Sequence, residues 1–310
     1  MTAFDMINVA VYNLLWKGEP LRDIYVMTRI IKLVISLLFW MGCWLQRKMK
    51  VISKGDSPGT CLFLYYHSVT SDQRKQFAQQ MEDLVRLAKP IDGGFKGPLK
   101  PNMHYVGITF DDGFACVIEN ALPELIKYRI PATIFIPTGY LGRHPEWVND
   151  QDYEERNEMV MTSKQLFELP SGLISIGSHS VTHRMISSLT EEEARRELYQ
   201  SRIELESLLG WKIRHFAFPY GNYNLKVVEW AREAGYERVF TNLPTLAYSE
   251  KEEYVTGRVW ANPTDSRLEF ILKVQGAYRW LPYAFTIKRK VRHLVKRNRN
   301  RNNVLKLMEM

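Results

Sequence analysis

Short apolar runs alternate with helical patterns through the middle of the chain. Six of these runs predict β-strands: Cys61–Tyr66, Tyr105–Phe110, Ala132–Ile136, Leu173–Ile176, Phe216–Phe218 and Arg238–Thr241. Alternating strands and helices are typical of a parallel sheet covered by helices, either open or closed into a barrel. In such folds the functional side chains gather at the carboxyl ends of the strands.

The helical segments carry recognisable start and stop signals. A helical pattern over Val117–Tyr128 follows the second strand. The clearest helix begins after Thr190, which with Glu193 forms a predicted capping box, and it stops at Gly210. A further helix is predicted from about Leu225 to Ala234, before Gly235.

The N-terminal region contains an uncharged apolar run at residues 33–45, which is shorter than the roughly 20 residues of a membrane-spanning helix. Extending it back to Ile24 brings in Arg29 and Lys32, which are costly at a bilayer centre. No small-residue cleavage site follows the run. We therefore interpret 24–46 as an interfacial helix or short anchor within a membrane-leaning segment, 1–50. A helix packed on the domain is the alternative.

Composition is that of a globular protein, with 45% hydrophobic and 25% charged residues among 310. Three cysteines, Cys43, Cys61 and Cys116, are too few for a disulfide framework and lack the spacing of a zinc ribbon. One catalytic domain at 51–275 fits this length.

The net charge of +8 belongs to the two ends of the chain. Residues 270–310 hold eleven Lys or Arg and one acid, so we assign 276–310 as a basic tail. Its aromatics, Trp280, Tyr283 and Phe285, precede the basic run Lys288–Arg301 and suit an anionic lipid surface; a solvated, disordered tail is the alternative. The middle of the chain is net acidic, which argues against a nucleic-acid-binding core.

Three motifs lie where strands are predicted to end. Thr109-Phe110-Asp111-Asp112-Gly113 places two carboxylates side by side, which is unfavourable unless a cation neutralises one. His179-Ser180-Val181-Thr182-His183 can present two imidazoles on one helical turn. Two histidines and one carboxylate leave open positions on a metal for water and substrate. In Phe216-Ala217-Phe218-Pro219-Tyr220-Gly221, the last three residues suggest a rigid lip with a backbone N–H facing a pocket.

These three motifs, in this order and spacing, resemble the polysaccharide deacetylase family, also called the NodB-homology or carbohydrate esterase family 4 domain. The resemblance covers about residues 58–262 and implies a deformed (β/α) barrel. It further implies that Asp112, His179 and His183 bind one divalent metal, usually zinc. Asp111 would be the general base, and the backbone N–H of Tyr220, after Pro219, would donate to the oxyanion. Ser180 and Thr182 would support the histidine loop.

The chain departs from the common family pattern in two places. Ala217 stands where many members have an arginine that orients the base, and Arg258 or Arg214 could replace it; we favour Arg258. The usual late Leu-x-Leu-His motif is also missing. Members that deacetylate β-1,6-linked N-acetylglucosamine carry this motif at the start of the domain, and here Leu64-Tyr65-Tyr66-His67-Ser68 resembles it. We assign His67 as the general acid; a structural histidine at a strand end is the alternative.

The resemblance therefore implies a metal-dependent hydrolase that removes N-acetyl groups from amino sugars of a polysaccharide or a lipid-linked saccharide. Both ends of the chain point to a membrane-associated protein. Two alternatives stay open: a deformylase-type amide hydrolase acting on a lipid-linked amino sugar, and a catalytically inactive glycan-binding protein. Ala217 and the missing terminal histidine favour the second alternative slightly, whereas the intact base and metal ligands oppose it.

Overall fold

A closed ring of parallel strands forms the centre of the protein. The computed structural model describes residues 21–52, 56–148, 154–248, 253–284 and 286. The eight strands are β1 (Thr60–Tyr66), β2 (Lys89–Ile91), β3 (His104–Phe110), β4 (Ala132–Ile136), β5 (Ile174–Ser178), β6 (His215–Ala217), β7 (Arg238–Thr241) and β8 (Val255–Trp260). They run in the order β1-β8-β7-β6-β5-β4-β3-β2, and β1 also pairs with β3. That pairing closes a seven-stranded parallel barrel, with β2 added beside the first half of β3.

Helices cover the outside of this barrel. They are α1 (Leu21–Ile52), α2 (Arg74–Leu87), α3 (Leu122–Tyr128), α4 (Ser163–Glu168), α5 (Glu191–Leu209), α6 (Leu225–Glu233) and α7 (Arg267–Val274). A π-helical turn, Val117–Ala121, leads into α3. Short 3-10 turns lie at Thr138–Tyr140, Glu154–Asn157, Ile186–Ser188, Pro219–Gly221 and Ala277–Trp280. The predicted deformed (β/α) barrel of the NodB type, with its N-terminal apolar helix, is therefore confirmed.

Local sequence signals place the best-defined helix, α5. The Thr190 side chain accepts from the Glu193 N–H, and the Glu193 side chain returns a bond to the Thr190 N–H, as the capping box predicts. Gly210 ends the helix in a left-handed conformation, with φ of 80°. All six predicted strands are present, with ends shifted by at most two residues.

Two strands, β2 and β8, were not predicted from the sequence, and neither were three helices, α2, α4 and α7. Strand β2 has three residues and contains Pro90, so its apolar signal is weak. In β8 the apolar run is broken by Gly257 and Arg258. Gly257 is required there, because a Cβ atom would lie 2.1 Å from the carbonyl oxygen of Leu243. Arg258 points into the barrel, where an arginine is not expected from pattern alone.

The interior of the barrel is aromatic. Phe63, Phe135 and Phe240 are fully buried there, with the Phe63 and Phe240 rings edge to face at 5.3 Å. A second apolar core lies between the outer surface of the strands and the helices. The polar site therefore lies above a layer of buried aromatic side chains.

Helix α1 includes Val26–Gln46, a segment long and apolar enough to cross a membrane by length and composition only. The predicted aromatic Trp280 is half-buried and donates to Ser36 on this helix, while Tyr283 is exposed. Phe285, the basic run Lys288–Arg301 and residues 1–20 lie outside the described residues.

Candidate metal centre

The side chains singled out in the sequence meet at the carboxyl ends of the strands. Asp111 and Asp112 follow β3, His179 follows β5, and Pro219 and Tyr220 follow β6. Asp111 is fixed at this edge, because its N–H donates to the carbonyl of Tyr66, the last residue of β1. Parallel strands thus bring distant motifs to one edge of the barrel.

Asp112, His179 and His183 form a compact, buried cluster. Their ligand atoms all lie within 4.8 Å of one another. The Nε2 atoms of His179 and His183 lie 3.5 Å and 3.0 Å from the same oxygen, Oδ1 of Asp112. Among the described residues this buried oxygen accepts no hydrogen bond of good geometry. A buried carboxylate oxygen that faces two imidazole nitrogens fits a divalent cation, which would neutralise it.

The His179 ring is oriented and neutral. Its Nδ1 lies 2.8 Å from the carbonyl oxygen of Ala217, which can only accept, so Nδ1 carries the proton and donates. Burial lowers the pKa of His179 to about 4 despite the nearby Asp111 carboxylate. The unprotonated Nε2 is therefore available as a metal ligand at neutral pH.

Backbone strain is concentrated at this cluster. Among the described residues, seven other than glycine have positive φ, and four belong to the site: Asp112 (65°), Ser180 (68°), His183 (56°) and Tyr220 (61°). Each such residue costs about 1–3 kcal/mol, and strain of this kind is typical of functional sites. The expected helical turn at residues 179–183 is wrong, because left-handed conformations at Ser180 and His183 are incompatible with a helix. The two imidazoles converge through an irregular loop instead.

Glu197, on α5, supports that histidine loop and was not predicted. Its Oε2 accepts from the N–H groups of Val181 and Thr182 at 2.8 and 2.9 Å, and its Oε1 accepts from the Thr182 hydroxyl. The Ser180 hydroxyl accepts from the His183 N–H at 3.0 Å. Ser180 and Thr182 thus both make hydrogen bonds within the histidine loop, and their support of a bound metal stays a prediction. A signal for Glu197 existed, because this acid lies on the same helix face as the apolar residues that α5 buries.

Asp111 is held by Arg258 inside the barrel. The guanidinium Nη1 and Nη2 donate to Oδ1 and Oδ2 of Asp111 at 2.6 and 2.8 Å, and both side chains are buried. Burial alone would raise the pKa of Asp111, but the Arg258 charge and its hydrogen bonds outweigh burial and hold the pKa below its usual value. Arg214, the other candidate, lies at the surface near Glu237.

Other partners complete the Arg258 environment. Its Nη1 also donates to the Thr109 hydroxyl at 3.0 Å, and its Nη2 donates to Oδ1 of Asn242 at 3.0 Å. The guanidinium carbon lies 4.8 Å from the Tyr65 ring centre and 5.4 Å from that of Phe135. Ala217 lines the same interior and offers no side chain that could orient Asp111.

His67 lies just beyond β1, half-buried, with its ring edge to face with Tyr65 at 5.7 Å. Burial acts to raise the pKa of Asp111 and of Asp112. The charge of His67 helps to lower both, although less than Arg258 does for Asp111 and less than His183 does for Asp112. Beside His67 the Ser68 hydroxyl donates to Glu155 at 3.1 Å. Burial raises the pKa of Glu155, a second acid near the site that was not predicted.

Aromatic rings cover His183. The Trp147 ring stacks on His183 with centres 4.2 Å apart and an interplanar angle of 23°, and the Tyr220 ring meets the same imidazole at 5.0 Å. Tyr140 in turn packs edge to face on Trp147 at 4.7 Å. These rings fix the orientation of His183 and shield it from solvent.

Comparisons with known proteins find similarity to polysaccharide deacetylases. A family model described as polysaccharide deacetylase matches residues 99–239. YxkH of Bacillus subtilis (strain 168) is 27% identical over 236 residues, which is 73% of this chain and 78% of that protein. The poly-beta-1,6-N-acetyl-D-glucosamine N-deacetylase of Staphylococcus aureus (strain MSSA476) is 27% identical over 226 residues, or 68% of this chain and 76% of the relative.

Solved structures share the fold. IcaB from Ammonifex degensii aligns with a TM-score of 0.59 and 24% identity, covering 72% of this chain and 98% of that one.

Proposed function

Because the chain belongs to the polysaccharide deacetylase family, we propose that it is a metal-dependent hydrolase that removes N-acetyl groups from amino sugars. The observation that carries the proposal is one buried oxygen of Asp112, next to the Asp111–Arg258 pair. This oxygen faces two imidazole nitrogens and accepts no hydrogen bond of good geometry from the described residues. A metal centre beside an oriented carboxylate base is an arrangement that can catalyse amide hydrolysis.

Asp112, His179 and His183 would hold the ion, and we expect zinc because it favours two imidazoles and one carboxylate with an open position. When bound, this ion supplies Lewis acidity to the amide carbonyl and to the attacking water. The protein surrounds it with neutral His179, strained loops and the supporting Glu197, so the three ligands are positioned before the ion arrives.

Asp111 takes the proton from the attacking water. Arg258 keeps this carboxyl ionised and fixes its direction, because both carboxylate oxygens are held by the buried guanidinium. As the C–N bond breaks, His67 acts as the general acid from the mouth of the site and donates its own proton to the leaving nitrogen, while the proton taken by Asp111 is released to solvent.

The turn after β6 serves the oxyanion. Pro219 and the left-handed Tyr220 set a rigid 3-10 turn at the barrel edge. The backbone N–H of Tyr220 donates to the oxygen that becomes negative as the acetamide carbonyl is attacked.

The substrate we propose is an N-acetylated glycan or a lipid-linked saccharide. The Staphylococcus aureus relative is named for a β-1,6-linked N-acetylglucosamine polymer, and the early position of His67 supports a substrate of that kind. The barrel at 51–275 carries the reaction, while the segments 1–50 and 276–310 associate the protein with a membrane. The apolar segment Val26–Gln46 of α1 supports this location.

Acetate release from N-acetylglucosamine oligomers tests the activity. We expect turnover that a chelator abolishes and added zinc restores. Asp111→Asn should keep the metal and lose turnover, whereas Asp56→Asn, at an exposed site, should behave like the wild type. Release of formate from N-formylated sugars would indicate a deformylase instead. Equal inactivity of wild type and Asp111→Asn on all these sugars would favour a glycan-binding protein.

A further inference from the structure

Helix α1 has two faces that differ in character. One stripe, the docked stripe, consists of Arg29, Leu33, Ser36, Trp40 and Cys43, at spacings of four and three residues. Ser36 accepts from Trp280 at 2.9 Å, and the Trp40 indole N–H donates to Gln275. Leu33 and Trp40 pack on the apolar core of the domain. The docked stripe is therefore part of the folded domain.

A buried cluster of charged side chains holds this stripe against the domain. Lys273 donates to Asp265 at 2.7 Å and lies 3.4 Å from a carboxylate oxygen of Glu269, and all three side chains are at most 8% exposed. Two carboxylates face one ammonium there, and Arg29 of α1 supplies the second positive charge, 2.7 Å from Glu269. Removing α1 would leave the cluster with an uncompensated buried negative charge, which is strongly unfavourable.

The opposite stripe of α1, which we call the apolar face, is exposed to solvent. Ile31, Leu38 and Leu45 lie two turns apart along it and are 51%, 62% and 54% exposed. Other large apolar residues extend the same exposed surface: Val26, Met27, Ile30, Val34, Ile35, Met41, Trp44 and Met49. A surface of this size exposed on one helix marks an interaction site rather than ordinary surface.

The direction of α1 follows from its contacts. Its Arg29 end meets Thr264 and Glu269, at the barrel end where β8 finishes and the metal centre opens. Its Trp40 end meets Gln275, close to His104 at the amino end of β3. Helix α1 therefore runs along the side of the barrel. Between residues 29 and 43 it is docked over about 21 Å beside polar groups of the domain, so lipid cannot surround it there.

We propose that α1 lies in the plane of an anionic membrane surface, inserting its apolar face while the docked stripe holds the barrel. Lipid is the occupant that the flanking charges favour. Lys48 lies 5.6 Å above the Trp44 ring, and Arg47 and Lys50 are its neighbours in the sequence. Basic residues beside an apolar helix face with a tryptophan are typical of helices at anionic lipid surfaces.

This geometry sets the orientation of the catalytic barrel. Because α1 follows the side of the barrel, the barrel lies on its side and the metal centre opens along the membrane surface. Saccharide chains displayed close to the lipid headgroups would then enter laterally. The orientation does not depend on the reaction proposed above.

Vesicle binding by the full chain is the first test. We expect cosedimentation with vesicles of equal parts phosphatidylcholine and phosphatidylglycerol, and weaker binding to phosphatidylcholine alone. Leu38→Glu should weaken vesicle binding by about tenfold or more, because it places a charge where the leucine side chain would be buried in lipid. Leu225→Glu changes a still more exposed leucine, 86% against 62% for Leu38, at the start of α6 and should bind as the wild type does.

Depth measurement separates an in-plane helix from a spanning one. Ile31→Cys, Leu38→Cys and Leu45→Cys, each in a Cys43→Ser background, are labelled with a fluorophore and quenched by nitroxide lipids of known depth. An in-plane helix gives three similar depths, about 5–10 Å into the headgroup boundary. A spanning helix makes residue 38 deepest and displaces the other two by about 10 Å in opposite directions.

Three results would overturn the proposal: the spanning pattern, no quenching at any position, or equal loss of binding in Leu38→Glu and Leu225→Glu. Absence of quenching would mean that another protein surface, such as a second copy of this chain, covers the apolar face. Failure to release acetate would refute the proposed reaction and leave these depths unaffected.

Discussion

Replacing Arg258 with methionine should remove the charge that holds Asp111 while keeping a long apolar side chain. Arg258 is fully buried and donates to both oxygens of Asp111 at 2.6 and 2.8 Å. Removing one partner of a buried ion pair leaves the other charge uncompensated, at a cost of about 3–5 kcal/mol. We expect a loss of that size in the free energy of unfolding near neutral pH.

The loss should depend on pH in a defined direction. In the wild type the pKa of Asp111 is lowered, so its ionised form stabilises the folded state above the unfolded pKa, and this contribution fades as pH falls through the folded pKa. In Arg258→Met only His179 and His67 still oppose the effect of burial, so we expect the pKa of Asp111 to rise and the protonated carboxyl to be favoured in the folded state. The difference between the two proteins should therefore be largest near neutral pH and shrink below about pH 4.

Urea unfolding monitored by tryptophan fluorescence, with a chelator present to remove any contribution from bound metal, measures this difference. Arg195→Met is the matched control, because Arg195 pairs with Glu191 and Glu233 while all three side chains are exposed, and its loss should be much smaller. Asp111→Asn combined with Arg258→Met should recover part of the stability, since neither charge is left alone. Equal losses in Arg258→Met and Arg195→Met, or a loss that does not change with pH, would refute the reasoning.

Three further predictions concern the metal centre. Glu197→Ala should lower the affinity for a divalent metal by about 10–100-fold, because the loop between the two histidines loses three hydrogen bonds to this acid. Competition with a chromophoric chelator measures the affinity, and an unchanged value would contradict this. Gly113→Ala should cost about 1–3 kcal/mol in urea unfolding, because φ is 60° and a Cβ atom would lie 2.4 Å from Cδ1 of Ile136; Gly172→Ala, where a Cβ meets nothing within 4 Å, is its control. Adding zinc should raise the melting temperature of the chelator-treated wild type and leave that of His183→Ala unchanged. An equal rise in both proteins would mean that the ion binds elsewhere.

The strands that precede the motifs could be predicted from the sequence alone. Runs such as Ala132–Ile136 are short, mostly apolar and bounded by prolines, because these strands are buried on both faces. Strand β8 could not be found in this way, since Gly257 and Arg258 interrupt its pattern for reasons that lie in distant contacts. The metal ligands were predictable from motif order, whereas the conformation between the two histidines was not.

Residues that act through other residues were the hardest to predict. Arg258 was one of two candidates, and only the barrel interior distinguishes it from Arg214. Glu155 belongs to a short turn with no periodic pattern. Glu197, by contrast, stands as an acid on the buried face of an amphipathic helix, and a buried acid needs partners. Such breaks in an otherwise apolar stripe are a usable signal for supporting residues.

The aromatic floor of the barrel and the catalytic base form one connected structure. Gly107 pairs with Phe63 across β3 and β1, and a Cβ atom at 107 would lie 2.1 Å from the Phe63 ring, so glycine is what allows this ring to fill the interior. Phe63 packs on Phe240, and the Arg258 guanidinium lies 5.8 Å from the centre of the Phe240 ring. Closure of the barrel through the β1–β3 pairing thus brings an arginine of β8 beneath an aspartate that follows β3. Because the floor positions the arginine and the arginine positions the base, changes in apolar packing at Phe240 should shift the pH dependence of the reaction as well as stability.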